Sequence, residues 1–250
     1  MKLIRNLNWQ MTIALGLISL GAATGLARAE DKPAADLTVG VYSKYVWRGF
    51  ELSDDSLVIQ PSLTVGYKGF GVNLWGNLDT DQYNMDSEAF NWNETDLTLS
   101  YDGAIDKFGY ALGYIYYDLE GLADSQEVYL GFSLDTLLSP ALTIYREIAN
   151  YQGWYVTLGI SHSFPLSETI GLDLGAQVSY LDVEATDHSE FHDGLLSAAI
   201  SIPLTDLVSI SPELYWSFPL TSEASDLREA ASISGDDSYV YGGLSMSLAF

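Results

Sequence analysis

From Asp36 to the end of the chain, apolar and polar residues alternate with a period of two. Successive side chains of a strand point to opposite sides, so this pattern demands extended backbone with one apolar face. The clearest example is Ile170, Leu172, Leu174, Ala176, Val178 and Tyr180, interleaved with Gly171, Asp173, Gly175, Gln177 and Ser179. Its length suits a tilted strand crossing a bilayer, which needs about 9 to 11 residues. The pattern returns in Leu57 to Tyr67, in Val208 to Phe218 and in Val240 to Phe250.

Twelve such segments are predicted: 36–48, 56–67, 69–79, 92–102, 107–118, 125–134, 140–149, 153–163, 169–181, 193–202, 205–218 and 238–250. An even number is what a bacterial single-chain barrel requires. The seventh segment holds adjacent Arg146 and Glu147, so one of them is expected off pattern or at a bulge. Connections after even-numbered segments are short, as at Lys68, Gly103 to Asp106, Phe164 to Ser167 and Pro203-Leu204. Those after odd-numbered segments are mostly longer and acidic, as at Thr80 to Asn91, Asp182 to His192 and Leu220 to Asp237. Short turns on one side and long loops on the other define the outer-membrane arrangement.

A soluble β-sandwich also has one apolar and one polar face. Three features favour a membrane barrel instead. Aromatics of the apolar face sit near segment ends, among them Tyr45, Trp47, Tyr67, Phe70, Tyr101, Phe108, Tyr110, Trp154, Tyr180, Trp216 and Phe218. Rings with a polar edge prefer the headgroup level, so two girdles are expected. The opposite face is mostly Gly, Ser, Thr and Asn, with few of the Lys and Glu of a water-exposed strand. The chain also ends on an apolar-face Phe250, as outer-membrane barrels do.

The N-terminus reads as a leader: Lys2 and Arg5, an apolar run from Met11 to Ala23, then Ala27-Arg28-Ala29 before acidic Glu30. That order matches a secretory signal peptide cleaved after Ala29, and the run is shorter than the roughly 20 residues of a spanning helix. The expected organisation is therefore a signal peptide over 1–29 and one barrel over 30–250, located in the outer membrane of a Gram-negative bacterium. The formal net charge is −24, and losing Lys2, Arg5 and Arg28 with the leader makes it three units more negative. Such a charge excludes nucleic acid as a partner, which needs a basic footprint. With no cysteine, the exported chain must be stable without disulfides.

Tyr42-Ser43-Lys44-Tyr45-Val46-Trp47-Arg48-Gly49, Gln60-Pro61, Gly71 to Trp75-Gly76-Asn77, and Pro140 to Tyr145-Arg146-Glu147 before Gly153 resemble the TorF-type porin family, also called the Gcw family. The resemblance spans most of the chain after the leader and implies an outer-membrane barrel and a channel, without naming a solute. The family has Asp after the aromatic of the seventh strand, where Arg146-Glu147 stand here.

In the first segment Leu37, Val39, Val41, Tyr45 and Trp47 are assigned to lipid, so Tyr42, Lys44 and Arg48 are expected inside. A Lys or Arg on the lipid face would cost about 2 to 4 kcal/mol at midplane. The same phase puts Glu94, Asp96, Glu127, Glu147, Asp173 and Glu213 inside. These residues are the candidate pore lining. They either set the selectivity of a narrow pore, where the acid excess predicts a cation preference, or form a plug in which Lys44 and Arg48 pair with carboxylates.

Catalysis has thinner support. His162 stands between Ser161 and Ser163, but adjacent strand residues face opposite ways, so no nucleophile and base share a surface. His188 and His192, four apart in an expected acidic loop, do not follow the zincin order, and Asp79, Asp81, Asp86 and Glu88 do not match an EF-hand. No nucleotide motif appears, so no cofactor is expected. The acidic loops are expected to bind calcium or magnesium weakly.

The function expected from the sequence is a channel for passive diffusion of small hydrophilic solutes, with outer-membrane lipid as its surroundings. The alternatives are a structural or adhesive barrel acting through its acidic loops and an outer-membrane lipid-modifying enzyme. The loop from Leu220 to Asp237 separates channel from adhesin: folded inward it narrows a pore, displayed outward it offers a binding surface.

Overall fold

A chain of alternating strands leaves two unpaired edges unless its first strand meets its last. Here they meet. The computed structural model describes residues 32–53, 56–81, 90–186 and 188–250. The expected leader and the acids Asp86, Asp187 and Glu88 lie outside the described residues. The strands are β1 (Ala34–Tyr42), β2 (Val46–Trp47), β3 (Phe50–Glu51), β4 (Val58–Tyr67), β5 (Phe70–Asp79), β6 (Asn91–Ile105) and β7 (Phe108–Leu119). There follow β8 (Ser125–Leu134), β9 (Ala141–Glu147), β10 (Gly153–Pro165), β11 (Gly171–Val183), β12 (His188–Pro203), β13 (Val208–Pro219) and β14 (Tyr239–Ala249), with a helix α1 (Ser222–Ala231) before the last.

All but β2 and β3 form one closed antiparallel barrel of twelve strands, each paired to its neighbours in sequence. Closure is made by β1, which pairs with β4 on one side and with β14 on the other, from Asp36 opposite Ala249 to Tyr42 opposite Gly243. The ring is sealed at the C-terminus by reciprocal bonds between Ala35 and Phe250, N to O at 2.7 and 2.8 Å.

Alternation then sorts the faces. Every barrel strand except β9 carries an exposed leucine, so the outer wall bears an apolar band around nearly its whole circumference. A band of that extent is far beyond the few hundred Å² a soluble surface tolerates. Phe70, Phe108, Phe164 and Phe250 are exposed toward the short-turn end, and Trp92, Trp154, Trp216 and Phe191 toward the loop end, giving the two girdles.

Proline and adjacent charges are accommodated without breaking the ring. Pro61 and Pro212 lack an N–H, and beside each the ladder is interrupted on one side while β1 or β14 continues on the other. Arg146 and Glu147 need no bulge: β9 keeps its register through both. Arg146 simply faces out at the loop end, where it pairs with Glu184 at 2.8 Å and stacks on the Trp154 ring.

Two loops differ from expectation. The first strand ends at Tyr42, not 48, and the expected loop from Asp182 to His192 belongs mostly to β11 and β12. Both differences build the site described below.

Placing an arginine at the middle of the outer band tests the assignment of faces. Leu158→Arg should cost about 2 to 4 kcal/mol of stability in lipid vesicles, measured by denaturant unfolding. Gln177→Arg, opposite Gly159 on the inner face of the next strand, should cost clearly less; equal losses would reverse the assignment.

Candidate functional site

After Tyr42 the chain leaves the wall and folds into the barrel. The hairpin β2–β3 pairs Val46 with Glu51 and Trp47 with Phe50. Its two-residue turn is Arg48-Gly49, with φ of 47° and 83°. Two positive φ values make a type I′ turn, whose twist matches that of flanking strands. Gly49 has a further role, because a Cβ there would lie 2.8 Å from Arg228 Nη1 and 3.0 Å from Asp193 Oδ1.

The sequence placed Tyr45 and Trp47 in lipid, and the structure corrects this: they are 5 % and 4 % exposed. With Phe50 they pack in one cluster with Ile115, Tyr117, Leu119, Tyr155 and Leu181 of the inner wall, and Tyr45 meets Trp75 with ring centroids 5.7 Å apart. The alternation continued past Tyr42 only because a hairpin is also built with period two.

Three bases hold this plug, each against its own carboxylate. Lys44 pairs with Glu51 within the segment itself. Arg48 makes a fork with Glu127 of β8, Nη1 to Oε1 at 2.9 Å and Nη2 to Oε2 at 2.8 Å, among the rings of Trp47, Tyr145 and Tyr155. Arg228 of α1, fully buried, donates from Nη1 to Asp193 Oδ1 at 2.9 Å and from Nη2 to Ser217 Oγ at 2.9 Å. A bidentate charged pair is the strongest of these geometries.

Asp193 reaches inward together with its neighbour His192, which strict alternation forbids. A bulge resolves this: Val178 is opposite Gly194 while Tyr180 is opposite Phe191, so β12 carries an extra residue. The His192 ring sits 5.0 Å from that of Phe50, and its Nε2 donates to the Arg48 carbonyl at 3.0 Å.

The 220–237 segment folds inward. Its helix is capped by Thr221, whose Oγ1 accepts from Ala224 N at 3.1 Å. Beyond the helix, Ser232 Oγ and Ser234 N both donate to Glu51 Oε2 at 2.8 Å, tying this segment to the plug. Burial raises the Glu51 pKa, but the Lys44 ammonium and the Ser232 and Ser234 donors outweigh it and hold the carboxyl below its ordinary range. Burial lowers that of Arg228, against the opposing pull of Asp193.

All nine sequence candidates lie on the lumen side, though by different routes. Lys44 and Arg48 arrive on the loop rather than on a strand. Glu213 accepts from Tyr42 at 3.0 Å, Tyr215 at 2.5 Å and Ser245 at 2.5 Å. Glu94 accepts from Tyr45 at 3.1 Å, and Asp96 is buried two residues along the same face. Asp173, nearer the turn end, accepts from Ser163. Glu147 faces in but turns to its own loop, accepting from the amides of Ala149, Asn150 and Tyr151 at 2.9 to 3.1 Å, so it shapes the loop more than the lumen.

Sequence reasoning missed Glu51, Asp193 and Arg228, and weighed His192 only as a metal ligand in a loop. Only Arg228 left a signal, as a lone base in an acidic loop of a base-poor chain. His188 and His192 stand on a strand, not in the expected loop, with rings 5.9 Å apart. Among the described residues no group of three His, Asp or Glu side chains could hold a metal ion. His162 faces outward near the turn end, its Nδ1 2.7 Å from the Leu137 carbonyl oxygen and its ring edge-on to Phe164.

No family model and no curated protein matches the sequence. Among solved structures the barrel is similar to the NanC porin, with a TM-score of 0.58 at 10 % identity over 86 % of this chain and 98 % of that one. It also matches the anion-selective porin of Comamonas acidovorans, at TM-score 0.36 and 10 % identity over 88 % and 99 % of the two chains. The translocator domain of the autotransporter NalP from Neisseria meningitidis gives 0.42 at 9 % identity over 92 % and 93 %. Of these three, the NanC likeness carries the fold. Closure, strand number and apolar wall define a closed twelve-strand antiparallel β-barrel with the fold of outer-membrane barrels, and its overall fold is similar to that of the NanC porin.

Arg228→Ala leaves Asp193 buried without its cation and should lower stability by about 3 to 5 kcal/mol, read by denaturant unfolding in detergent. For Glu51 the lowered value sets the sign: its stabilisation is present above the ordinary carboxylate range and is lost as pH falls through the folded value. A fluorescence titration from about pH 6 to about pH 3 should therefore show a Trp47 transition at the acid end. Trp47→Phe should remove the signal, and Glu51→Gln should bring the loosened state to neutral pH.

Proposed function

We propose that this chain is a narrow outer-membrane channel for small hydrophilic cations, constricted near its loop end by the 43–53 plug and α1. The observation that carries the reading is the matching of charge inside the barrel. Lys44, Arg48 and Arg228 each pair with an acid: Glu51, Glu127 and Asp193 respectively. Asp173 and Glu213 add further carboxylates to the same inner face. An acid surplus in a narrow pore favours cations.

The turn-end half supports a water-filled vestibule. Its inner wall is built of small residues, among them Ser62, Ser100, Gly109, Gly131, Ser197 and Ser211, which leave space that larger side chains would fill. Twelve strands lie between the eight whose side chains can fill a barrel and the sixteen of open porins. A likeness to a protein described as a porin, and the resemblance to the TorF-type family, point the same way. The inward fold of 220–237 places this acidic segment against the plug, which favours a channel over an adhesive surface. On this reading the long-loop end is extracellular and the short turns periplasmic.

The refolded chain, recorded in a planar bilayer under a potassium chloride gradient, should give small discrete steps with a cation-selective reversal potential. Arg48→Ala should raise the unitary conductance by roughly twofold or more, because it frees the plug tip from the wall. Anion preference would overturn the proposal, and so would silence from folded native and Arg48→Ala barrels alike.

A further inference from the structure

The three ion pairs of the lumen are not equivalent. Lys44 and Glu51 belong to one segment, and Arg228 meets Asp193 through a single bond beside a serine. Of the three, Arg48 is the one that meets both oxygens of a barrel-wall carboxylate. Four consecutive strands build its site: Tyr117 of β7, Glu127 of β8, Tyr145 of β9 and Tyr155 of β10. Glu127 offers both oxygens to the guanidinium, and Tyr117 fixes that carboxylate by donating to Oε2 at 3.0 Å. The Arg48 Cζ lies 4.1 Å from the centroid of the Tyr155 ring and 4.9 Å from that of Tyr145.

A carboxylate fork reads the planar, paired donors of a guanidinium, and aromatic faces read its charge and flatness. This is a receptor for guanidinium whose occupant happens to be the chain's own loop. The occupant is 7 % exposed and its partner 4 %. The register sets Tyr129 opposite Tyr145, one step toward the turn end from Glu127 opposite Glu147, and both of these tyrosines are half-buried. A solute entering from the turn-end vestibule meets these rings before the fork.

Resting on the channel reading, we infer that the Tyr117–Glu127–Tyr145–Tyr155 box is a solute subsite for guanidinium cations, occupied in the closed state by Arg48 acting as a tethered substitute ligand. Solute and plug then compete for one place. Arrival of a guanidinium solute releases the 43–53 segment, and departure lets Arg48 return. Tethering gives Arg48 an effective concentration on the order of millimolar, so the native chain should bind free solute weakly.

The test is calorimetric titration of arginine amide into full-length barrels in detergent, with no conductance involved. A barrel that never conducts can still bind, so failure of this inference and failure of the channel reading are separable. Arg48→Ala should bind arginine amide saturably with one site, at least about tenfold more tightly than the native chain. Adding Glu127→Gln to that variant should abolish the binding. Methylammonium and sodium at equal ionic strength should not saturate the site, and tetramethylammonium, which aromatic faces alone would accept, should bind clearly more weakly. Equal binding by native and Arg48→Ala chains, survival of binding after Glu127→Gln, or equal affinity for tetramethylammonium would each overturn the inference. Should Arg48→Ala not fold, Arg48→Lys keeps a cation in the box without the fork and is titrated with the same criteria.

Discussion

The backbone must pair every N–H and C=O wherever water is excluded, and the rest of this structure depends on that constraint. An unsatisfied group in hydrocarbon costs several kcal/mol, so strands exposing an apolar face there must close into a ring. The pairing of β1 with both β4 and β14 is the closing step, and it fixes which side of each strand is interior. Once the ring exists, alternation does the sorting. Most leucines and the girdle aromatics face out, while the charges are gathered in one lumen together with inner-wall rings such as Tyr117, Tyr145 and Tyr155.

That gathering creates the second constraint. A lumen partly filled by side chains desolvates its charges, and a buried charge must find a partner. The bases available are few, and the plug consumes three of them in matched pairs. The two inward segments are thereby coupled. Gly49 approaches Arg228 and Asp193 too closely for a side chain, His192 holds the Arg48 carbonyl, and Glu51 collects donors from the end of α1. Loosening either segment removes partners from the other, so the loop-end closure is a single interlocked unit rather than two loops.

The bulge in β12 shows how a local irregularity serves this arrangement. By adding one residue to the strand, it turns both His192 and Asp193 inward, one to the hairpin backbone and the other to the helix arginine. A regular strand would have sent one of them to the outer wall. The cost is a break in the ladder, compensated in part by Ser179 Oγ accepting from the Asp193 amide at 3.0 Å.

The sequence by itself determined the strand number, the closed-barrel class, the short-turn and long-loop ends, and the inward phase of Glu94, Asp96, Glu127, Asp173 and Glu213. It could do so because strand periodicity is local: each residue's face follows from its neighbours two positions away. Only the tertiary structure decided that the first strand stops at Tyr42, that Tyr45 and Trp47 are core residues, and that Arg228 meets Asp193 thirty-five positions earlier. A hairpin inside a lumen carries the same alternation as a strand in the wall, so its pattern holds no trace of which surface it packs against. Partners so far apart in sequence are chosen by the ring's curvature and by burial of charge, which exist only after the barrel has closed.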